Sequence, residues 1–207
     1  MSRLKTAFVL GYHGCGLDTA ERLLDGEDFK SSEEDFDWLG PGAYFWESDP
    51  DRALEWATER KGARAFKEPY AVGAVIDLGN CLDLTTRDGT RLLGLSYESF
   101  EKGQTVGGLP MPINKDLASD PHRDRLLRRL DCAVIRHLHQ NIADERDTWR
   151  AAGASGSPPP APFDTVRGMF PEGGEAFPGA GFQARTHTQI AVLQPSCIKG
   201  VFRSRGA

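Results

Sequence analysis

At 207 residues the chain is long enough for one domain with a substantial core and short for two. A composition of 39% hydrophobic and 27% charged residues argues against wholesale disorder. With 25 basic against 30 acidic residues the formal charge is −5, which excludes a broad counterion-releasing surface for nucleic acid.

The first apolar run, Ala7 to Leu10, is shorter than a signal-peptide core or a membrane span, so no membrane association is expected. Thr6 to Leu10 reads as a buried strand that ends in a turn at Gly11-Tyr12-His13-Gly14-Cys15-Gly16, where a ligand can approach the backbone. Asp18 or Thr19 caps a short helix through Leu24, and Asp25 to Asp37 is a polar surface loop. Leu39 to Gly42 forms a turn, Ala43 to Trp46 a strand, and Ser48-Asp49-Pro50 a capped helix start. The helix that follows presents Ala53, Trp56, Ala57 and Arg60 along one side.

Alternation of Val72, Ala74, Ile76 and Leu78 predicts a strand with one buried face within Ala71 to Leu84, with a helix over 85–101 and a loop from Gly103 to Pro112. Pro121 opens the longest helical pattern, in which Leu126, Leu127, Leu130, Val134, Leu138 and Ile142 share an apolar face through about residue 143. Residues 151–162 are an exposed loop rich in glycine, serine and proline. Three further strands are expected at Phe163 to Phe170, Gln189 to Leu193 and Cys197 to Arg203. Without regular strand and helix alternation, the expectation is a single α+β domain over 1–207.

Three separated segments carry the chemical signal. They are Tyr12-His13-Gly14-Cys15; Gly40-Pro41-Gly42-Ala43-Tyr44-Phe45-Trp46-Glu47; and Thr188-Gln189-Ile190-Ala191-Val192. Together they resemble the ADP-ribosyltransferase superfamily, in its diphtheria-toxin-like and poly(ADP-ribose)-polymerase-like branch, whose signature is His, Tyr and Glu on three strands. Here the series is His13, Tyr44 and Gln189. The resemblance implies a split β-sandwich with flanking helices, in which two small twisted sheets meet at a cleft for NAD, the co-substrate. It also implies transfer of one ADP-ribose to a macromolecule, as in a bacterial toxin, defence or effector enzyme, with an antitoxin or immunity protein as a possible partner.

Within that resemblance each residue has a physical task. His13 can hydrogen-bond a ribose hydroxyl, and the backbone of Gly14 can pair with the nicotinamide carboxamide. Tyr44 can stack on the nicotinamide ring, while Trp56 either closes the other side or belongs to the core. Gln189 can orient the ribose but cannot act as a carboxylate base, which disfavours polymer extension and leaves a binding module or an NAD glycohydrolase as alternatives. Glu47, Glu172 and Glu175 are read as exposed acids that could supply a carboxylate from a loop. The stretch Pro171 to Arg185 corresponds to the family's acceptor-selecting loop, with Phe177 and Phe182 in it. Arg185 and His187 stand beside Gln189, placed to meet a phosphate or an anionic acceptor, and alternation puts His187 on the face of Gln189.

Other groupings carry less. The cysteines at 15, 81, 132 and 197 lack metal-site or disulfide spacing, so a reducing, cytoplasmic setting without a metal is expected. A basic patch at Lys199, Arg203 and Arg205, or among the arginines of 121–150, competes with a solvated charged face. The acceptor stays open among protein, DNA, RNA and small molecules.

Overall fold

The computed structural model describes residues 8–60 and 62–204. Thr6 and Ala7 of the first expected strand, and Arg205 of the C-terminal basic group, lie outside these. The class is α+β: nine strands and four helices among the described residues, with seven strands in one sheet and two in a separate ribbon.

β1 (Phe8–Gly16) takes up the whole glycine segment that was expected to turn. It pairs antiparallel with β3 (Pro69–Asp77) without interruption, from Phe8 opposite Asp77 to Gly16 opposite Pro69. None of Gly11, Gly14 and Gly16 needs a left-handed backbone. At Gly14 the requirement is room, because a Cβ would stand 2.3 Å from the carbonyl oxygen of Ala53. α1 (Leu17–Leu24) therefore starts directly at the strand end, with Gly16 at its N-cap and no side-chain cap, where Asp18 or Thr19 was expected.

β2 (Ala43–Glu47) and α2 (Pro50–Glu59) match the expectation, with the Asp49 side chain accepting from the backbone N–H of Arg52 as the N-cap and Pro50 opening the helix. The single strand expected over 71–84 is two, β3 and β4 (Cys81–Asp83), separated at Gly79 by a left-handed residue with φ 56°. α3 (Arg87–Gly107) runs past Gly103 and ends at the left-handed Gly108.

Pro121 does not open a helix. Carboxylates of Asp116 and Asp120 accept from the backbone of His122, Asp124 and Arg125, holding a tight loop in which Arg123 and Arg125 are left-handed. β5 (Asn114–Lys115) then pairs with β6 (Leu127–Arg128), and α4 (Arg129–Ala151) begins with Asn114 accepting from the N–H of Leu130. Residues 151–162 form an almost wholly exposed connection. β7 (Thr165–Phe170), β8 (His187–Val192) and β9 (Ile198–Arg203) complete the sheet in the order β4-β7-β8-β2-β1-β3-β9, antiparallel except for β4 with β7.

The two small sheets of the expectation are one sheet with a weak seam. Nine positions pair between β1 and β3, but only Gly11 with Glu47 and Tyr12 with Trp46 pair between β1 and β2. Side chains of α4 (Ile135, Leu138, Ile142) pack on Leu82, Val166 and Ala191 at one end of the sheet. Ala53 of α2 packs on Trp46 and Ala71 near the seam. By register, Ala191, Trp46 and Ala71 share one sheet face, so α2 and α4 cover the same side and leave space between them. α1 covers the opposite face through Ala20 and Leu23 against Val72.

Candidate active site

That space is a cleft of about 650 Å³, and His13, Tyr44 and Gln189 all line it. It opens where the β1–β2 pairing stops. Backbone groups of an antiparallel strand point alternately to its two neighbours. Leu10 accepts from Ser48 on the β2 side, and Leu17 donates to Glu68 on the β3 side, which fixes the alternation along β1. The N–H and C=O of Gly14 thus point toward β2, beyond the last paired position, Tyr12 with Trp46. They form a free strand edge inside the seam.

His13 spans the same gap with its side chain, Nδ1 lying 2.9 Å from the carbonyl oxygen of Tyr44. A carbonyl only accepts, so Nδ1 carries the proton and Nε2 is left as an acceptor. Phe29 and Phe45 flank the ring, and this burial lowers the His13 pKa against the raising effect of the Tyr44 carbonyl. The imidazole is neutral near pH 7.

Tyr44 offers its ring to the cleft, but its hydroxyl is spent on the turn before it. It accepts from the N–H of Leu39 at 3.0 Å and donates to the carbonyl of Gly40 at 2.7 Å. Gly40 must be glycine there, being left-handed at φ 77° with Ile135 2.8 Å from where a Cβ would sit. Burial, with the Asp37 charge second, raises the Tyr44 pKa well above its ordinary value. Gln189 lies opposite Trp46 in the sheet, and its Oε1 accepts from the indole N–H of Trp38 at 2.6 Å. Indole can only donate, so the amide is oriented with its NH2 left for a ligand.

Trp56 is both packed in the fold and exposed to the cleft. It packs with Trp46 at 5.5 Å and lines the cleft under the guanidinium of Arg60, 4.5 Å from its ring centroid.

The residues before Gln189 depart from expectation. Arg185 lines the cleft, but its guanidinium is already bound to Glu55 and Glu59 of α2. Glu172 is buried rather than exposed, and accepts from Arg52 at 2.7 Å in an ion pair buried on both sides. Glu47 is held by Arg167, and Glu175 accepts from the N–H of Gly179, so neither reaches toward Gln189 as a free carboxylate. His187 shares the face of Gln189 as alternation requires, but it is buried, stacked on Phe170 and tilted against Trp46. Phe177 and Phe182 stand exposed at 60% and 76% on a hydrogen-bonded loop.

Comparison with family models, curated proteins and solved structures returns no match.

The site offers a free strand edge, a neutral imidazole acceptor, an aromatic ring and an oriented amide, grouped in one cleft. Among the described residues no group of His, Cys, Asp and Glu has the geometry to hold a metal ion, and no helix is long and apolar enough to cross a membrane. Sequence reasoning missed Trp38, Trp46 and Arg52. Trp46 was within reach, since it stands two residues after Tyr44 and so on the same face. Arg52 carried no local signal, its partner lying 120 residues away.

Proposed function

We propose that this protein is a mono-ADP-ribosyltransferase that uses NAD, built on the split β-sandwich of that superfamily. The observation that carries the reading is the seam: β1 and β2 part after Tyr12, and the gap gathers the free edge of Gly14, the His13 imidazole, the Tyr44 ring and the Gln189 amide. A carboxamide needs one acceptor and one donor side by side, which the C=O and N–H of Gly14 supply. Nε2 of His13 accepts from a ribose hydroxyl, and Tyr44 stacks on the nicotinamide. Orientation by these contacts lowers the entropic part of the barrier to the oxocarbenium-like state.

Gln189 donates its NH2 to the ribose as the glycosidic bond breaks. Gln189→Ala should therefore lower the maximal rate about tenfold or more while changing NAD affinity less. Incubation of the protein with labelled NAD and a cell lysate, with nicotinamide release followed in parallel, tests the assignment. Neither a labelled macromolecule nor released nicotinamide across several lysates would defeat it.

One observation favours a second reading. No free carboxylate stands at the third signature position, and the Gln189 carbonyl is held by Trp38. An NAD-binding module without turnover has the same cleft. Gln189→Glu separates the two, raising turnover from near zero if only a carboxylate is missing.

A further inference from the structure

The sheet is shaped to bring the Trp38 indole to Gln189, where its N–H donates to Oε1 at 2.6 Å. Gly168 of β7 pairs directly with Gln189 of β8, so the two positions share one face. A Cβ at Gly168 would stand 2.7 Å from Trp38 Cη2, although the backbone there is not left-handed. Glycine at 168 is thus a requirement for room, and the room is filled by the ring that reaches Gln189. Phe170, two residues on and on the same face, meets the indole edge-on at 5.1 Å between centroids, and the Arg128 guanidinium lies 5.5 Å from the indole centroid.

The main chain that carries Trp38 is tied on both sides. The carbonyl of Asp37 accepts from the N–H of Gly40 at 2.7 Å, and the N–H of Leu39 donates to the Tyr44 hydroxyl at 3.0 Å. Through this turn two cleft residues, Tyr44 and Gln189, are joined by hydrogen bonds to adjacent residues. A half-turn of the Gln189 amide would set its NH2 against the indole N–H, donor against donor, so one orientation alone keeps the bond.

We infer that Trp38 is a positioning residue for the reaction and that, acting through Gln189, it fixes the third signature position as a hydrogen-bond donor. The inference rests on the transferase reading above. The ligand atom that meets Gln189 is then an oxygen with a lone pair, such as that of a ribose hydroxyl, and a guanidinium or ammonium, which only donates, finds no partner there. His13 Nε2 supplies the opposite polarity, since Nδ1 holds the proton against the Tyr44 carbonyl. Ordering a glutamine side chain costs rotamer freedom, and in this fold Gln189 is ordered before NAD arrives.

The test uses the whole protein, reading nicotinamide release at saturating NAD alongside the dissociation constant of a nonhydrolysable NAD analogue. Trp38→Phe keeps a ring and removes the N–H; it should lower the maximal rate by about three- to tenfold and change the affinity less than about threefold. Gly168→Ala keeps the N–H but displaces the indole, and should give the same split, with circular dichroism checking the fold of both variants. In the Gln189→Ala background Trp38→Phe should lower the rate no further, because Trp38 acts through the amide. Losses that multiply in the double variant overturn the inference, as does a Trp38→Phe rate within about twofold of wild type. Heteronuclear NMR reads the orientation directly: the analogue should shift the side-chain NH2 of Gln189, and Gln189→Ala should shift the indole N–H of Trp38. An indole resonance unmoved by Gln189→Ala overturns the inference and leaves the transferase reading standing. A wild type that neither transfers ADP-ribose nor releases nicotinamide overturns both.

Discussion

Tyr44 illustrates how one side chain divides between fold and site. Its ring belongs to the cleft, whereas its hydroxyl serves the Leu39 and Gly40 backbone. Tyr44→Phe should therefore destabilise the protein by about 1–3 kcal/mol, because a backbone donor and a backbone acceptor lose their partner. NAD affinity should change less than about threefold in the same variant, since a stacking face remains. Urea unfolding and calorimetric titration with a nonhydrolysable NAD analogue check the two halves separately. A Tyr44→Phe variant that unfolds at the wild-type midpoint would show that the hydroxyl works elsewhere. Gln189 gives the complementary case: its position was legible from the sequence, but its held orientation was not, because Trp38 is 151 residues away.

At the scale of elements, the contact of β1 with α2 decides the shape of the seam. Gly14 presses against the Ala53 carbonyl and the Trp56 ring, so Gly14→Ala would force a Cβ to 2.3 Å from an oxygen of a helix backbone. Overpacking of this kind costs about 1–3 kcal/mol, and here the yielding partner is backbone rather than a flexible side chain. The expected result is a lower unfolding midpoint together with at least a tenfold loss of NAD affinity, as α2 and Trp56 move outward; circular dichroism melts and calorimetry read both. Glycine at 14 looked like a ligand requirement in the sequence. Contact with α2 sets a second requirement for glycine at the same position.

For the whole molecule, acid is the weak side. His13, His139 and His187 all have pKa values lowered by burial, His139 to about 4. A histidine that resists protonation in the folded state contributes stability above its unfolded pKa, and that stability is lost as pH falls through the unfolded value of about 6.5 toward the folded one. At about 1.4 kcal/mol per pH unit, His139 alone removes on the order of 3 kcal/mol between pH 6.5 and 4. Urea midpoints measured across that range should fall, and His139→Gln should flatten part of the slope. A flat profile would contradict the buried neutral state of these rings. Within the two basic groups, Arg203 is bound to Glu21, Arg129 to Asp35 and Arg136 to Glu33.

What the amino-acid sequence determined by itself was whatever a few neighbouring residues control. The capped start of α2 at Asp49 and Pro50, the alternation of β3 and the exposed 151–162 connection all depend on local backbone preference or on a short period of burial. The grouping of His13, Tyr44 and Gln189 was legible through resemblance, as three local motifs. Tertiary structure decided the rest. Residues 11–16 are strand because β3 pairs along all of them, and residues 121–126 are loop because Asp116 and Asp120 bind their backbone. Glu172 is buried because Arg52 meets it across 120 residues. The β3 pairing and the Arg52 charge come from partners distant in the chain and outweigh the local preference only once the fold has brought them together, whereas Asp116 and Asp120 act within nine residues.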